Sequence, residues 1–180
     1  MVSIFNHSNR NNISPCSSSG LGLATVYELL SQKAHISIID RSPAPDTLLS
    51  SPNVKFFKTD ITQLTEVTSA VNKTVEWTSK TGATLGGVVN CAGVATAAKI
   101  INAHGEPHSL DIWDFVIAVN LTGTFNLTRL VLQHLIKVDP ETGRDGERGV
   151  VIFVSSSAAV SSDSVFVLMR PVTNQSTITV

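Results

Sequence analysis

The sequence predicts an α/β fold in three layers, a doubly wound parallel sheet with helices on both faces. From Gly20 onward, short β-branched runs alternate with longer stretches of helical period, the pattern of parallel strands joined by crossover helices. Apolar residues make up 42% of the 180 positions and charged residues only 15%, below the roughly 25% typical of soluble domains, so the interior is expected to be large relative to the surface.

The elements follow in order. Leu23, Val26, Tyr27 and Leu30 recur at i, i+3, i+4, i+7 and predict a first helix. Ile36-Ser37-Ile38-Ile39 predicts a strand ending at Asp40, and the segment from Pro43 to Pro52 is too rich in proline for regular structure. Val54 to Phe57 predicts the next strand, ending near Asp60. Leu64, Val67, Val71 and Val75 trace a helix with Thr62 as N-cap and Gly82 beyond its end. Gly87-Val88-Val89-Asn90 reads as a buried strand, and residues 94–108 as a long loop whose length suggests a binding role. The longest helix is expected from about Leu110 to about Lys137, with Trp113, Val116, Ile117, Asn120, Thr124, Leu127, Val131 and Leu135 on one stripe. A charged loop, Asp139 to Arg148, leads to a strand over Val150–Val154 that ends in Ser155-Ser156-Ser157; beyond Ala159 the pattern dissolves.

Composition excludes several functions. Thirteen Lys+Arg against fourteen Asp+Glu leave a net charge of −1, too little field to recruit nucleic acid or an anionic membrane. Uninterrupted apolar runs such as Val150–Val154 and Val165–Met169 are far short of the roughly 20 residues of a membrane span. Neither nucleic acid nor a membrane is therefore expected as a partner. Cys16 and Cys91 are the only cysteines, so no disulfide scaffold is expected and a reducing, intracellular setting is favoured. Residues 1–14 show no legible targeting segment.

Ser17-Ser18-Ser19-Gly20-Leu21-Gly22 opens the first helix. Small residues there let backbone N–H groups close on a diphosphate at the helix N-terminus, although the same pattern also makes an ordinary tight turn. Asp40 ends the next strand 18 residues after Gly22, near the spacing at which a carboxylate meets the adenosine ribose of NAD; the alternative is a surface Asp at a strand end. A carboxylate there repels a 2′-phosphate, favouring NAD as cofactor, while Arg41 next to it could turn inward and accept NADP instead.

With these residues the sequence resembles the short-chain dehydrogenase/reductase family over residues 15–160, with closest likeness to the type-2 3-hydroxyacyl-CoA dehydrogenases. Asn90-Cys91-Ala92-Gly93 matches the family's turn after its fourth strand, and Asp60 with Ile61 its adenine-contacting segment. The run Asn120-Leu121-Thr122-Gly123-Thr124-Phe125-Asn126 matches the central helix, where the asparagine joins a proton relay, and Ser156 matches the catalytic serine. The resemblance implies a Rossmann-like fold and cofactor contacts from Ser19, Gly20, Leu21, Gly22, Asp40, Asp60, Ile61, Asn90, Cys91, Ala92 and Gly93. It also implies Ser156 and Asn120 as catalytic residues, a small-molecule substrate such as an acyl-CoA, a homo-oligomer and a mitochondrial location; without it, a cytoplasmic one is expected.

The residues support two of these roles independently. A lone Asn on an apolar stripe costs about 1–3 kcal/mol unless its amide is satisfied, so Asn120 should have a specific partner, either a catalytic water or a neighbouring carbonyl. Ser156 lies at the carboxyl end of a buried strand, the side of such sheets where ligands bind. No metal site is expected: Gly105 and Pro107 interrupt any helix that would align His104 with His108. Cys91 has no adjacent basic group and reads as a small buried filler.

Both ends depart from the family. Its tyrosine, about 13 positions after the serine, is Met169 here, and Thr173 stands where its lysine should be; the chain's only tyrosine is Tyr27, and no lysine follows Lys137. Pro15-Cys16 replaces the Thr-Gly that opens the phosphate loop, and the segment Asn9–Ser14, where the central first strand should run, is polar. The expectation is an incomplete Rossmann-like sheet, its first strand degraded and its C-terminal strands missing. Residues 1–14 are expected to be a poorly ordered segment, 15–160 a partial dinucleotide-binding domain, and 161–180 an unrelated tail. The function expected is an NAD-dependent oxidoreductase of secondary alcohols or ketones by resemblance, inactive here for want of the Tyr/Lys pair. The alternatives are a non-catalytic relative that binds a nucleotide or a partner, and an unstable fragment.

Overall fold

A computed structural model describes residues 2–3, 10–15, 20–140, 146–155, 166–168 and 177–179. Its strands are β1 (Val2–Ser3), β2 (Arg10–Pro15), β3 (His35–Asp40), β4 (Val54–Lys58), β5 (Thr84–Asn90), β6 (Ala97–Lys99), β7 (Val150–Phe153), β8 (Phe166–Leu168) and β9 (Thr177–Thr179). Its helices are α1 (Gly20–Ser31), α2 (Asp46–Leu49), α3 (Leu64–Thr81), α4 (Leu110–Ile117) and α5 (Thr124–Leu135); a π-helical stretch, Ala118–Gly123, joins the last two.

Strands β2, β3, β4, β5 and β7 pair in parallel, as the alternating pattern predicts, in the order β4-β3-β2-β5-β7. The polar segment Arg10–Pro15 takes the central place between β3 and β5, with a register shift between Asn11 and Asn12. Ladder bonds use backbone groups alone, so polar side chains weaken a strand without forbidding it. The two-residue β1 runs antiparallel to the ends of β2 and β5, at Val2↔Pro15 and Val2↔Asn90. Past β7 the sheet continues with the antiparallel β9, and β6 pairs antiparallel with β8 as a separate ribbon.

Apolar residues cover both faces. Because side chains alternate along a strand, Ile36 and Ile38 of β3 pack with Val26, Leu29, Ala34, Leu48 and Val54 on one face. Ile39 joins Val67, Val71, Val88, Leu127, Val131, Leu135 and Val151 on the other, beneath α3 and α5.

Four local expectations are corrected. Tyr27 is 47% exposed and α1 buries Gly22, Val26 and Leu29 instead, because the buried stripe runs one residue off the apolar count. A short helix, α2, forms between Pro45 and Pro52, where proline count alone argued against it; a proline just before the first turn loses no helical bond. The N-cap of α3 is Gln63 rather than Thr62, since both the N–H and the hydroxyl of Thr62 are drawn to the Asp60 carboxylate. Within the expected 94–108 loop, β6 and a bridge between Ile101 and Pro107 form.

The continuous helix Leu110–Leu135 is long and apolar enough to cross a membrane by length and composition, which a count of unbroken apolar runs misses. Its Val116, Val119, Leu127, Val131 and Leu135 are buried within the domain.

Candidate dinucleotide site

The carboxyl ends of β3, β4 and β5 and the start of α1 surround one cavity of about 430 Å3, within the roughly 300–1,000 Å3 of small-molecule sites. Gly20, Leu21, Gly22, Asp40, Asp60, Ile61, Cys91, Ala92 and Gly93 border it. Three turns far apart in sequence meet here because parallel strands all end on the same edge of the sheet.

Gly20 has φ +62°, a left-handed conformation that favours glycine, and a Cβ there would meet nothing within 4 Å. Among the described residues, the opening of α1 is thus left clear at Gly20. Its first-turn N–H groups carry the partial positive charge of a helix N-terminus, suited to phosphate oxygens.

Asp40 and Asp60 supply the opposite charge at the other end. The strand ends are stitched together by Thr59 N–H, which donates to the Asp40 carbonyl at 2.9 Å. Asp40 Oδ1 accepts from Ser42 N at 3.0 Å. Asp60 Oδ1 accepts from both Thr62 N at 2.9 Å and Thr62 Oγ1 at 2.7 Å, while its own N–H donates to Glu66 Oε2 at 2.8 Å. Partial burial raises the Asp60 pKa, but the two Thr62 hydrogen bonds and the Arg41 guanidinium together outweigh it and hold the carboxyl below its ordinary value. Asp60 therefore stays ionised near neutral pH.

On the β5 side, Cys91 is mostly buried, and desolvation pushes its thiol up to about 11, so it stays a neutral filler of the wall. Asn90 lies behind the cavity. Its Nδ2 donates to Ile152 O at 3.3 Å and its Oδ1 accepts from Thr128 Oγ1 at 3.4 Å, tying β5 to β7 and α5. Asn120, in the π-helical stretch, is also behind the wall. Its Nδ2 donates to Val94 O and its Oδ1 accepts from Val94 N, each at 2.8 Å. The specific partner that a half-buried Asn demands is thus the backbone just after the Asn90–Gly93 turn.

Ser19 and Ser156 lie outside the described residues, as do Met169 and Thr173. Residue patterns alone miss Phe115, Val119, Val94 and Val154, which give the cavity its apolar lining. Val119, three residues after the buried Val116, continues that helical face into the π-helical stretch.

Such a donor set fits a dinucleotide: small backbone-lined turns for phosphates, carboxylates for ribose hydroxyls, and apolar walls for rings. Comparisons with known proteins agree. A family profile described as short chain dehydrogenase matches residues 16–168. The human 3-hydroxyacyl-CoA dehydrogenase type-2 is 36% identical over 145 residues, covering 78% of this chain and 53% of that protein. A short chain dehydrogenase from Penicillium roqueforti is 34% identical over 148 residues, covering 82% and 52%. This chain thus spans about half the length of the curated relatives it matches. Among solved structures, a type-2 3-hydroxyacyl-CoA dehydrogenase from Mycobacterium avium superimposes with a TM-score of 0.68 at 24% identity, over 83% of this chain and 56% of that one. ElxO with NADP bound gives 0.68 at 22%, over 86% and 58%. At these identities the superpositions establish the Rossmann-like fold.

Proposed function

Because this chain belongs to the short-chain dehydrogenase family, whose members use NAD or NADP, we propose that its 180 residues form the dinucleotide-binding part of an oxidoreductase site and prefer NAD. The observation that carries the proposal is the convergence of Gly20–Gly22, Asp40, Asp60 and Cys91–Gly93 on one cavity. When bound, the dinucleotide supplies a hydride acceptor or donor. The chain's residues hold it: α1 faces the phosphates, Asp40 accepts from ribose hydroxyls, Asp60 and Ile61 flank the adenine, and the Cys91–Gly93 turn forms the floor. A secondary alcohol or ketone is the substrate class, with a 3-hydroxyacyl-CoA favoured by the names of relatives.

Turnover is not proposed for these 180 residues. Moving a hydride to or from an alcohol carbon needs a group that moves the hydroxyl proton with it. Tyr27, the only tyrosine, points its hydroxyl to Thr47 Oγ1 at 3.3 Å on the outside of α1, and no lysine borders the cavity among the described residues. Calorimetric titration of the purified chain tests the proposal. Saturable binding of NAD, weaker binding of NADP and loss of NAD affinity in Asp40→Ala are expected; no saturable binding of either dinucleotide overturns it.

A further inference from the structure

Two carboxylates and one cation border the ribose end of the cavity: Asp40, Asp60 and Arg41, the last being the only cationic side chain lining it among the described residues. A 2′-phosphate is the natural partner of a guanidinium in that place, through bidentate charge-assisted bonds. Arg41 is instead turned to the β4 side, where its Nε lies 3.9 Å from Asp60 Oδ2.

The Asp60 carboxylate is a fixed anchor rather than a mobile partner. Both Thr62 bonds fall on its Oδ1, which orients Oδ2 toward Arg41, and its backbone is held by Glu66. Thr59 N–H to the Asp40 carbonyl fixes the spacing of the two strand ends that carry Arg41 and Asp60. We propose that Asp60 is a positioning residue for cofactor choice, which tethers Arg41 away from the ribose and so withholds from NADP the guanidinium that borders this end of the cavity. This rests on the cavity being a dinucleotide site. Asp40 disfavours NADP by repulsion; Asp60 does so by occupying the counter-charge.

The Arg41 side chain is 67% exposed, so water and salt weaken the pair, and the tether biases the guanidinium rather than locking it. An effect of about threefold to tenfold on the NAD-to-NADP preference is the scale expected of an exposed ion pair exchanged for a charge-assisted phosphate contact.

The test is a double-mutant cycle read as dissociation constants for NAD and for NADP at low salt, in the parent chain, D60N, R41A and the double variant. Asp60→Asn keeps an oxygen for Thr62 and replaces the charged oxygen that faces Arg41 with an uncharged amide NH2. NADP is expected to gain on NAD by about threefold to tenfold in D60N, and the gain to vanish when Arg41 is also removed. An adenine contact or a merely structural role moves both dinucleotides together, because they differ only at the 2′-position. An unchanged ratio in D60N, or a shift that survives R41A, overturns the tether while leaving the dinucleotide site standing if Asp40→Ala still weakens NAD. Failure of the parent chain to bind either dinucleotide overturns both.

Discussion

Asn120 clasps Val94 by both backbone groups, donating to its carbonyl and accepting from its N–H at 2.8 Å each. One side chain thereby joins the π-helical stretch to the turn that forms the cavity floor, and Gly93 sits close beneath it: a Cβ there would lie 3.6 Å from Asn120 Oδ1. Asn120→Ala leaves a partly buried donor and acceptor without partners. A loss of about 2–3 kcal/mol is expected by urea unfolding, with Asn120→Asp recovering only the accepting half. A loss below about 0.5 kcal/mol would show that water replaces the amide and that the clasp holds nothing in place.

Gly123 ends the π-helical stretch where the helix meets the turn after β4. A Cβ there would stand 2.8 Å from Ile61 O and 3.0 Å from Ile61 Cγ1, and Ile61 borders the cavity. Gly123→Ala must therefore displace the Asp60–Ile61 segment, at about 1–3 kcal/mol of overpacking. Weaker NAD binding than in the parent chain, measured well below the melting temperature, is the accompanying result; unaltered affinity would mean that the helix moves instead of the turn.

How far these features could be read from sequence depends on whether they are set locally. Asp40 was legible as a candidate because it ends a β-branched run, and Asp60 only through the family resemblance; both border the cavity because parallel strands end on one edge. The clasp was legible as a need, since an Asn on an apolar stripe requires a partner, but that partner lies 26 residues away and no periodicity names it. The Thr62 cap failed for a related reason: a threonine two residues after an aspartate can bond its side chain as readily as start a helix. Arg10–Pro15 shows the limit most plainly, because its place between β3 and β5 comes from pairing with distant strands and not from its own polar composition.

Cofactor choice gives a further prediction. Asp40 stands at the end of β3, at the edge of the cavity, where a carboxylate can accept ribose hydroxyls and repels a 2′-phosphate. Removing it in Asp40→Ala should weaken NAD about tenfold or more, as expected for bonds to a charged group, while NADP holds or gains. Equal losses for the two dinucleotides would show that Asp40 does not read the 2′-position.

His134, in the last turn of α5, is partly buried, and desolvation lowers its pKa below the ordinary 6.5, with Lys137 nearby adding to the shift. The folded state thus binds the proton less readily than the unfolded chain. Stability is fully present above the ordinary histidine pKa and is lost as pH falls from there through the lowered value. His134→Gln should flatten the stability profile in that window. The loss due to Asp60, also lowered, comes at more acid pH as that carboxylate protonates, so the two steps separate in urea midpoints measured against pH. A histidine variant with the parent slope would assign the step to another group.

The last prediction concerns turnover. Bound NAD and substrate would meet apolar walls, a Cys91 thiol that stays protonated with its pKa at about 11, and carboxylates placed at the ribose end rather than at a reacting carbon. General acid–base help is typically worth about 10² to 10⁴ in rate, and Thr173, where the family resemblance expects a lysine, carries no charge to position a ligand. Substituting Met169→Tyr with Thr173→Lys alone is expected not to restore activity, because Pro171 lies between them and a proline inside a helix removes a bond and clashes with the preceding turn. The four-residue spacing that would present both groups on one helical face is therefore unsupported by the intervening sequence. Replacing everything after Ala159 with a segment patterned on the family should do better than the double substitution. Steady NADH formation by the unaltered chain from a 3-hydroxyacyl-CoA, abolished by Ser156→Ala, would overturn this and require a proton acceptor elsewhere in the chain.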